Sequence, residues 1–278
     1  AWSKAEMIAP KQFREEISPY FNANPKKYIS ALVSEDCWQA TPGKVVDLVR
    51  NLGIAAGGTV MEDCRVLEAC REGKYTSVLV QTHDKKYVEY RTEHFVNALG
   101  SGAGKLCDSM GIDAGLYPVR HQAFITRRLP MLGKHGTNLD MLIDRQDYKG
   151  FSAVYGQQIA YTGQIIGCAS PKLDAMRIDK NLKVNTKAFL EIVSEMFSEW
   201  IPDLAGVGIQ AEQVRYYPEP RYIVDPELGL FVGMRGHGFM LSQYIARMYV
   251  DKLLGRPVPE YFEKLKLNGP GLSEKAFK

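Results

Sequence analysis

Three glycines fall within six positions of the stretch Gly233-Met234-Arg235-Gly236-His237-Gly238. An apolar run, Leu230, Phe231 and Val232, precedes it, and Tyr244, Ile245, Met248, Tyr249 and Leu253 follow at helical spacing. A strand, a glycine turn and a helix start in that order form a cradle for an anion or a cofactor. Glycines let backbone N–H groups approach a ligand, and a helix N-terminus favours negative charge. An ordinary tight strand-to-helix connection has the same spacing. A second glycine turn, Gly100-Ser101-Gly102-Ala103-Gly104, follows the apolar segment Phe95–Leu99. Its spacing is G-x-G-x-G, and Lys105 stands where a dinucleotide fingerprint needs Gly or Ala for helix–strand packing. No G-K-S/T triplet closes a phosphate loop. No H-E-x-x-H, G-x-S-x-G or clustered carboxylate set at metal-ligand spacing is present. Of the five histidines, only His237 sits in a motif.

The remaining chemistry-bearing residues are arginines and tyrosines. The guanidinium fork of arginine matches a carboxylate bidentately. Arg215 and Arg221, set among Tyr216, Tyr217 and Tyr222, are the candidates for holding a substrate carboxylate. A solvated strand carrying stacked aromatics accounts for the same pattern. Arg120, His121 and Gln122 begin an apolar-rich strand, of which one face points away from any cavity. The cysteines, Cys37, Cys64, Cys70, Cys107 and Cys168, are odd in number and contain no C-x-x-C pair. That pattern fits a reducing, cytoplasmic setting better than a disulfide framework or a zinc site.

The elements that position these residues follow from periodicity. Thr41-Pro42 reads as N-cap and first helical residue. Val45, Val46, Leu48, Val49 and Leu52 give a helical face that Gly57-Gly58 ends. Cys64–Ala69, Tyr75–Thr82 and Tyr87–Thr92 read as strands, with a turn at His83-Asp84-Lys85-Lys86. Val119–Arg127, Met141–Asp144, Gly150–Tyr155 and Gln158–Gly167 read as an antiparallel sheet suited to flooring a cavity. Thr186–Ile201 is the clearest helix, with Phe189, Val193, Met196, Phe197 and Trp200 on one face and Pro202 after it. A shorter helix is expected around Lys11–Ile17, and residues 212–224 read as strand or loop. The three tryptophans, Trp2, Trp38 and Trp200, are expected in core or interface packing. The 278 residues carry 45% hydrophobic and 24% charged side chains and a net charge of +3, as in a soluble globular protein. No basic block points to nucleic acid. No apolar run reaches the roughly 18 residues of a membrane span.

Residues 233–240, Gly233-Met234-Arg235-Gly236-His237-Gly238-Phe239-Met240, closely resemble the C-terminal flavin-binding segment of the FAD-dependent amine and amino-acid oxidoreductases, the family of D-amino-acid, sarcosine and glycine oxidases. Other segments match in order. Cys64-Arg65-Val66-Leu67-Glu68 resembles the strand whose valine backbone meets the adenine. Phe95-Val96-Asn97-Ala98-Leu99-Gly100 resembles the turn over the ADP part. Tyr117–Gln122 resembles the entry to the substrate domain, and Tyr216–Asp225 the stretch before the cradle. The implied architecture is α/β (α+β): part of a FAD-binding Rossmann-like domain (41–116 and 223–278) interleaved with an antiparallel-sheet substrate domain (1–40 and 117–222).

The resemblance implies FAD as cofactor, held by Val66, Ala98, Leu99, Gly100, Gly233, Arg235, Gly236, His237, Gly238, Phe239 and Met240. It implies oxidation of a C–N bond of a small amino or imino acid, with Arg215, Tyr217, Arg221 and His237 as catalytic candidates. A hydroxy-acid or polyol dehydrogenase of the same fold, and a non-catalytic subunit, are the alternatives. The family's carboxylate-holding lysine is Met240 here, and its oxygen-activating lysine is replaced near Ile165, which favours a dehydrogenase. The family pattern opens with a roughly 30-residue βαβ unit carrying G-x-G-x-x-G, which this sequence does not contain. A second polypeptide or the other half of a cleaved precursor is therefore expected to supply it, unless the sequence is part of a longer one.

Overall fold

The computed structural model describes residues 5–22, 24, 26–34, 37–133, 138–159, 162–172 and 187–269. Trp2, Pro25, Thr186 and Pro270 lie outside the described residues. In chain order the elements begin with strand β1 (Ala5–Ile8), helix α1 (Pro10–Gln12) and a π turn (Phe13–Ile17), then β2 (Ala31–Ser34) and α2 (Pro42–Ala55). Next come β3 (Arg65–Glu72), β4 (Tyr75–Gln81), β5 (Tyr87–Thr92) and α3 (Ala103–Ser109). They are followed by β6 (Tyr117–Thr126), β7 (Leu142–Asp144), β8 (Phe151–Ile159), β9 (Gln164–Pro171) and α4 (Lys187–Trp200). The last are β10 (Ile209–Glu219), β11 (Ile223–Asp225), β12 (Leu230–Val232), α5 (Gly238–Leu253) and α6 (Glu260–Glu263). The chain divides into two compact units, residues 1–39 with 120–215 and residues 40–119 with 216–278.

The first unit is built on a five-stranded sheet of order β10-β6-β9-β8-β7. β6 pairs with β9, β8 with β9 and β7 with β8, each antiparallel. The apolar stripe of α4 is its cover: Phe189, Val193, Met196, Phe197 and Trp200 are all buried, in one core with Phe124, Phe151 and Ile165. Those five residues recur at helical period, and full burial of each contributes about 1.5–3 kcal/mol. The close approach depends on Gly156, where a Cβ would lie 2.3 Å from the Phe197 ring. Gln158–Gly167, expected as one strand, is divided between the end of β8 and the start of β9, which pair antiparallel with each other. The Lys11–Ile17 segment is one short α turn followed by a π turn rather than a regular helix.

The second unit holds the antiparallel meander β3-β4-β5, the antiparallel pair β11-β12, and helices α2, α3, α5 and α6. Phe95–Leu99, expected as a strand, makes one parallel bridge only, Asn97 to Leu230. Pro42 opens α2 as the sequence predicts, yet the Thr41 side chain makes no cap bond. Gly57 closes the helix at φ 93°, a left-handed conformation suited to glycine. The apolar face of α2 is uncovered, and none of its fourteen residues is buried. Trp200 is a core residue as expected, whereas Trp38 is 96% exposed. Among the described residues, no helix is long and apolar enough to cross a membrane.

Candidate functional site

The cradle begins where β12 ends. Leu230 and Val232 are buried and fix the strand in the second unit's core. Gly233 then turns the chain at φ 74°, and a Cβ there would lie 1.9 Å from the Arg221 carbonyl oxygen. No side chain fits, so the turn packs backbone against backbone. A 3₁₀ turn, Arg235–His237, leads into α5. His237 is the N-cap residue of α5, and no side chain caps that end. The first N–H groups of an α-helix have no intrahelical acceptor, and the helix dipole places partial positive charge among them. The site therefore presents backbone donors at the end of a sixteen-residue helix.

Side chains hold this loop in shape. Arg235 adopts a left-handed φ of 47°, a conformation that costs a non-glycine residue about 1–3 kcal/mol. Its Nε donates to Glu219 Oε2 at 2.5 Å, and Glu219 is buried. The buried Tyr222 hydroxyl and His237 Nδ1 form a short hydrogen bond, with the rings 6.1 Å apart and tilted by 38°. The Tyr217 ring lies 3.3 Å from where a Gly236 Cβ would stand. Gly236, Phe239 and Met240 are exposed around the helix start.

The second glycine turn is organised by Asn97, which is 1% exposed. Its Nδ2 donates to the Ala103 carbonyl at 3.1 Å, and its Oδ1 accepts the Leu99 N–H at 3.2 Å. Its backbone bonds to Gly229 and Phe231, which anchors the turn to β12. Ala98, Leu99 and Gly100 are exposed, and Gly100 has φ 55° with open space at its Cβ position. Val66 lies on β3, an edge strand of the meander, at a bulge spanning Val66–Glu68.

The second unit thus brings together Tyr217, Glu219, Tyr222, Arg235, Gly236 and His237. Arg221 belongs to the same wall through its carbonyl at Gly233. Arg215 is the last residue of the first unit, exposed, with Nη1 donating to the Val214 carbonyl at 2.8 Å. Three residues organise the site in ways that the sequence reading did not assign to them. Asn97 carries a signal: an Asn after an apolar run and before a glycine bonds the backbone two residues on. Glu219 carries none beyond an acid between two prolines, and Tyr222 none beyond being one of three tyrosines between Arg215 and Ile223. Burial raises the Cys107 and Cys168 thiols, Cys168 to about 12, which makes both poor nucleophiles. Among the described residues, no cluster of His, Cys, Asp or Glu could hold a metal ion.

The family model of FAD dependent oxidoreductases matches residues 2–252. The chain belongs to that family. Its cofactor is FAD, and the cradle fits that group. A glycine-lined loop, an uncapped helix end and exposed backbone donors suit the carbonyl-rich edge of a flavin, as Gly100 suits close approach of a nucleotide. A search of the curated proteins found no match. Solved structures share the fold. L-proline dehydrogenase from P. horikoshii is 23% identical with a TM-score of 0.73, covering 95% of this chain and 68% of that one. Glycine oxidase from Geobacillus kaustophilus is 15% identical with a TM-score of 0.74, covering 96% of this oxidoreductase and 67% of that chain. Glycerol-3-phosphate dehydrogenase from Bacillus halodurans is 12% identical with a TM-score of 0.64, covering 98% and 54%.

Proposed function

We propose that this FAD-dependent oxidoreductase oxidises the C–N bond of a small amino or imino acid and acts as one component of a larger flavoenzyme. The observation that carries the flavin site is the uncapped, glycine-lined start of α5, backed by Tyr217 and by the Tyr222–His237 bond. The amine reading draws on the names of the fold neighbours, proline dehydrogenase and glycine oxidase among them. In this reading the second unit is the FAD-binding domain and the first the substrate domain.

Bound FAD supplies the acceptor for the hydride that leaves the substrate carbon. The chain's own groups bind and orient. Backbone N–H groups of Gly236 and of the start of α5 would hold the flavin pyrimidine edge and oppose negative charge building there, while the His237 N–H is donated to the Met234 carbonyl. Phe239 and Met240, exposed at the start of α5, would lie along the ring and ribityl side. Val66 and the 98–100 turn would hold the ADP part through their backbone. The Tyr222 hydroxyl, hydrogen-bonded to Nδ1, orients the His237 ring. Arg235 is committed to Glu219, so a substrate carboxylate falls to Arg221 or Arg215. All five thiols are free, which suits a reducing, cytoplasmic setting.

The component reading draws on α2. Val46, Leu48 and Leu52 are 62%, 58% and 60% exposed on a helix with no buried residue. A monomer rarely leaves such a face to water. A second polypeptide, carrying the nucleotide-binding βαβ unit, covers it in this reading.

The test is flavin extraction from the natural particle, followed by anaerobic mixing with a panel of substrates. Bleaching by amino or imino acids and not by hydroxy acids is expected. Bleaching by glycerol 3-phosphate or a 2-hydroxy acid alone would replace the amine reading with the alternative that the glycerol-3-phosphate dehydrogenase neighbour favours. Gly236→Leu drives a side chain against the Tyr217 ring and over the donors. It is expected to lower flavin content at least about tenfold, about 1.4 kcal/mol or more; full flavin retention would sink the cradle.

A further inference from the structure

Arg235 is the only arginine or lysine between Arg221 and Arg247, and it stands in the cradle loop itself, one residue before Gly236. Its Nε donates to Glu219 Oε2 at 2.5 Å. The Glu219 side chain is 6% exposed and that of Arg235 22%. This contact is one of three that join segment 219–222 to the loop 233–237. The Arg221 carbonyl packs on Gly233, and the Tyr222 hydroxyl bonds His237 Nδ1. The ion pair is therefore part of the cradle wall, within the second unit.

The pair decides what charge the flavin edge meets. Reduction by two electrons with uptake of one proton leaves one more negative charge on a flavin ring, and positive charge nearby favours that state. The start of α5 supplies partial positive charge, and its first turn holds no acidic residue. An unpaired guanidinium, charged at every working pH, would add a full unit. The chain instead buries a carboxylate against it, at the desolvation cost of both ions. It also holds Arg235 at φ 47°, a strained conformation for a non-glycine residue. We propose that Glu219 is a positioning residue for flavin reduction. By neutralising Arg235 and fixing it in the loop, it leaves the flavin edge facing the helix end alone, and keeps the bound flavin a weaker oxidant than an unpaired Arg235 would make it. The proposal rests on the cradle reading above and goes beyond it by assigning the cradle's net charge to one carboxylate. A unit charge about 10 Å from a group near a protein surface moves that group's equilibrium about tenfold.

The experiment is a reductive titration of the flavin-loaded native particle against a reference dye, with dithionite supplying the electrons and solvent the proton. Absorbance of flavin and dye at each step gives the flavin potential without turnover. Wild type, Glu219→Gln and the double variant Glu219→Gln with Arg235→Gln are compared. Glu219→Gln gains one positive charge, so its equilibrium for flavin reduction is expected to rise about tenfold. The double variant restores the net charge without restoring the ion pair, and should return to within about threefold of wild type. A double variant displaced as far as Glu219→Gln would trace the shift to lost packing and overturn the proposal. Equal potentials in all three would overturn it too, with the cradle intact. Should Glu219→Gln fail to load flavin, the double variant decides: loading at the wild-type potential supports the proposal, and failure to load overturns it. A wild-type particle with no flavin band would remove the cradle reading and the proposal together.

Discussion

The glycine at 233 illustrates how much can hang on a missing side chain. Its left-handed φ and the 1.9 Å gap to the Arg221 carbonyl leave no room for a methyl group. Gly233→Ala must shift the backbone between β12 and α5, at a cost of about 1–3 kcal/mol from the φ alone and more from the clash. Thermal denaturation should register that loss, and flavin content should fall with it. Glu219 makes the complementary case. Glu219→Gln removes the carboxylate that holds Arg235 in its left-handed turn, which costs about 1–3 kcal/mol. A melting temperature within a degree of wild type would show that the turn is held by something else. The glycines of this cradle were legible because glycine spacing signals backbone geometry directly. The Glu219–Arg235 and Tyr222–His237 pairs were not, since each joins residues fifteen or sixteen apart across a loop whose path no periodicity describes.

The helices mark where sequence pattern and packing part. An apolar stripe in α4 meant burial, because a sheet lies beneath it and Gly156 lets it close. The same kind of stripe in α2 meant exposure: periodicity specifies a face and leaves its cover unstated. Phe95–Leu99 read as a strand from its composition, yet pairing is non-local, and only Asn97 reaches a neighbour. In α5, Tyr249 is buried with its ring edge-on to Phe231, and its hydroxyl makes no hydrogen bond among the described residues. Burial, with help from the Asp225 charge, raises its phenol from 10.0 to about 12. The folded state therefore keeps the proton longer than the unfolded chain. The stabilisation is whole below pH 10 and is lost between pH 10 and about 12, roughly 2–3 kcal/mol in all. Tyr249→Phe keeps the ring and removes the proton. Urea unfolding at pH 8 should find the variant within about 1 kcal/mol of wild type, whereas above pH 10 it should fall less steeply. Parallel alkaline losses in the two proteins would show that Tyr249 does not carry the titration.

At the scale of the whole molecule, stability and assembly draw on different residues, and that separation can be tested. The core residues of each unit are buried within it, so the fold of each unit owes nothing to the outward face of α2. An exposed substitution away from caps and cores changes stability by no more than about 0.5 kcal/mol. Leu52→Asp should accordingly leave the circular dichroism and melting of this chain unchanged. Its effect belongs to the assembly, where a carboxylate must be buried against apolar surface at a cost of several kcal/mol. The flavin spans both partners in the component reading, so cofactor and partner should leave together. Size-exclusion chromatography of the native particle with absorbance at the flavin band measures both at once. Loss of the second polypeptide with loss of the yellow band is the expected outcome. A Leu52→Asp particle of full mass and full colour would mean that α2 faces water in the working enzyme, and that the flavin is completed from another side.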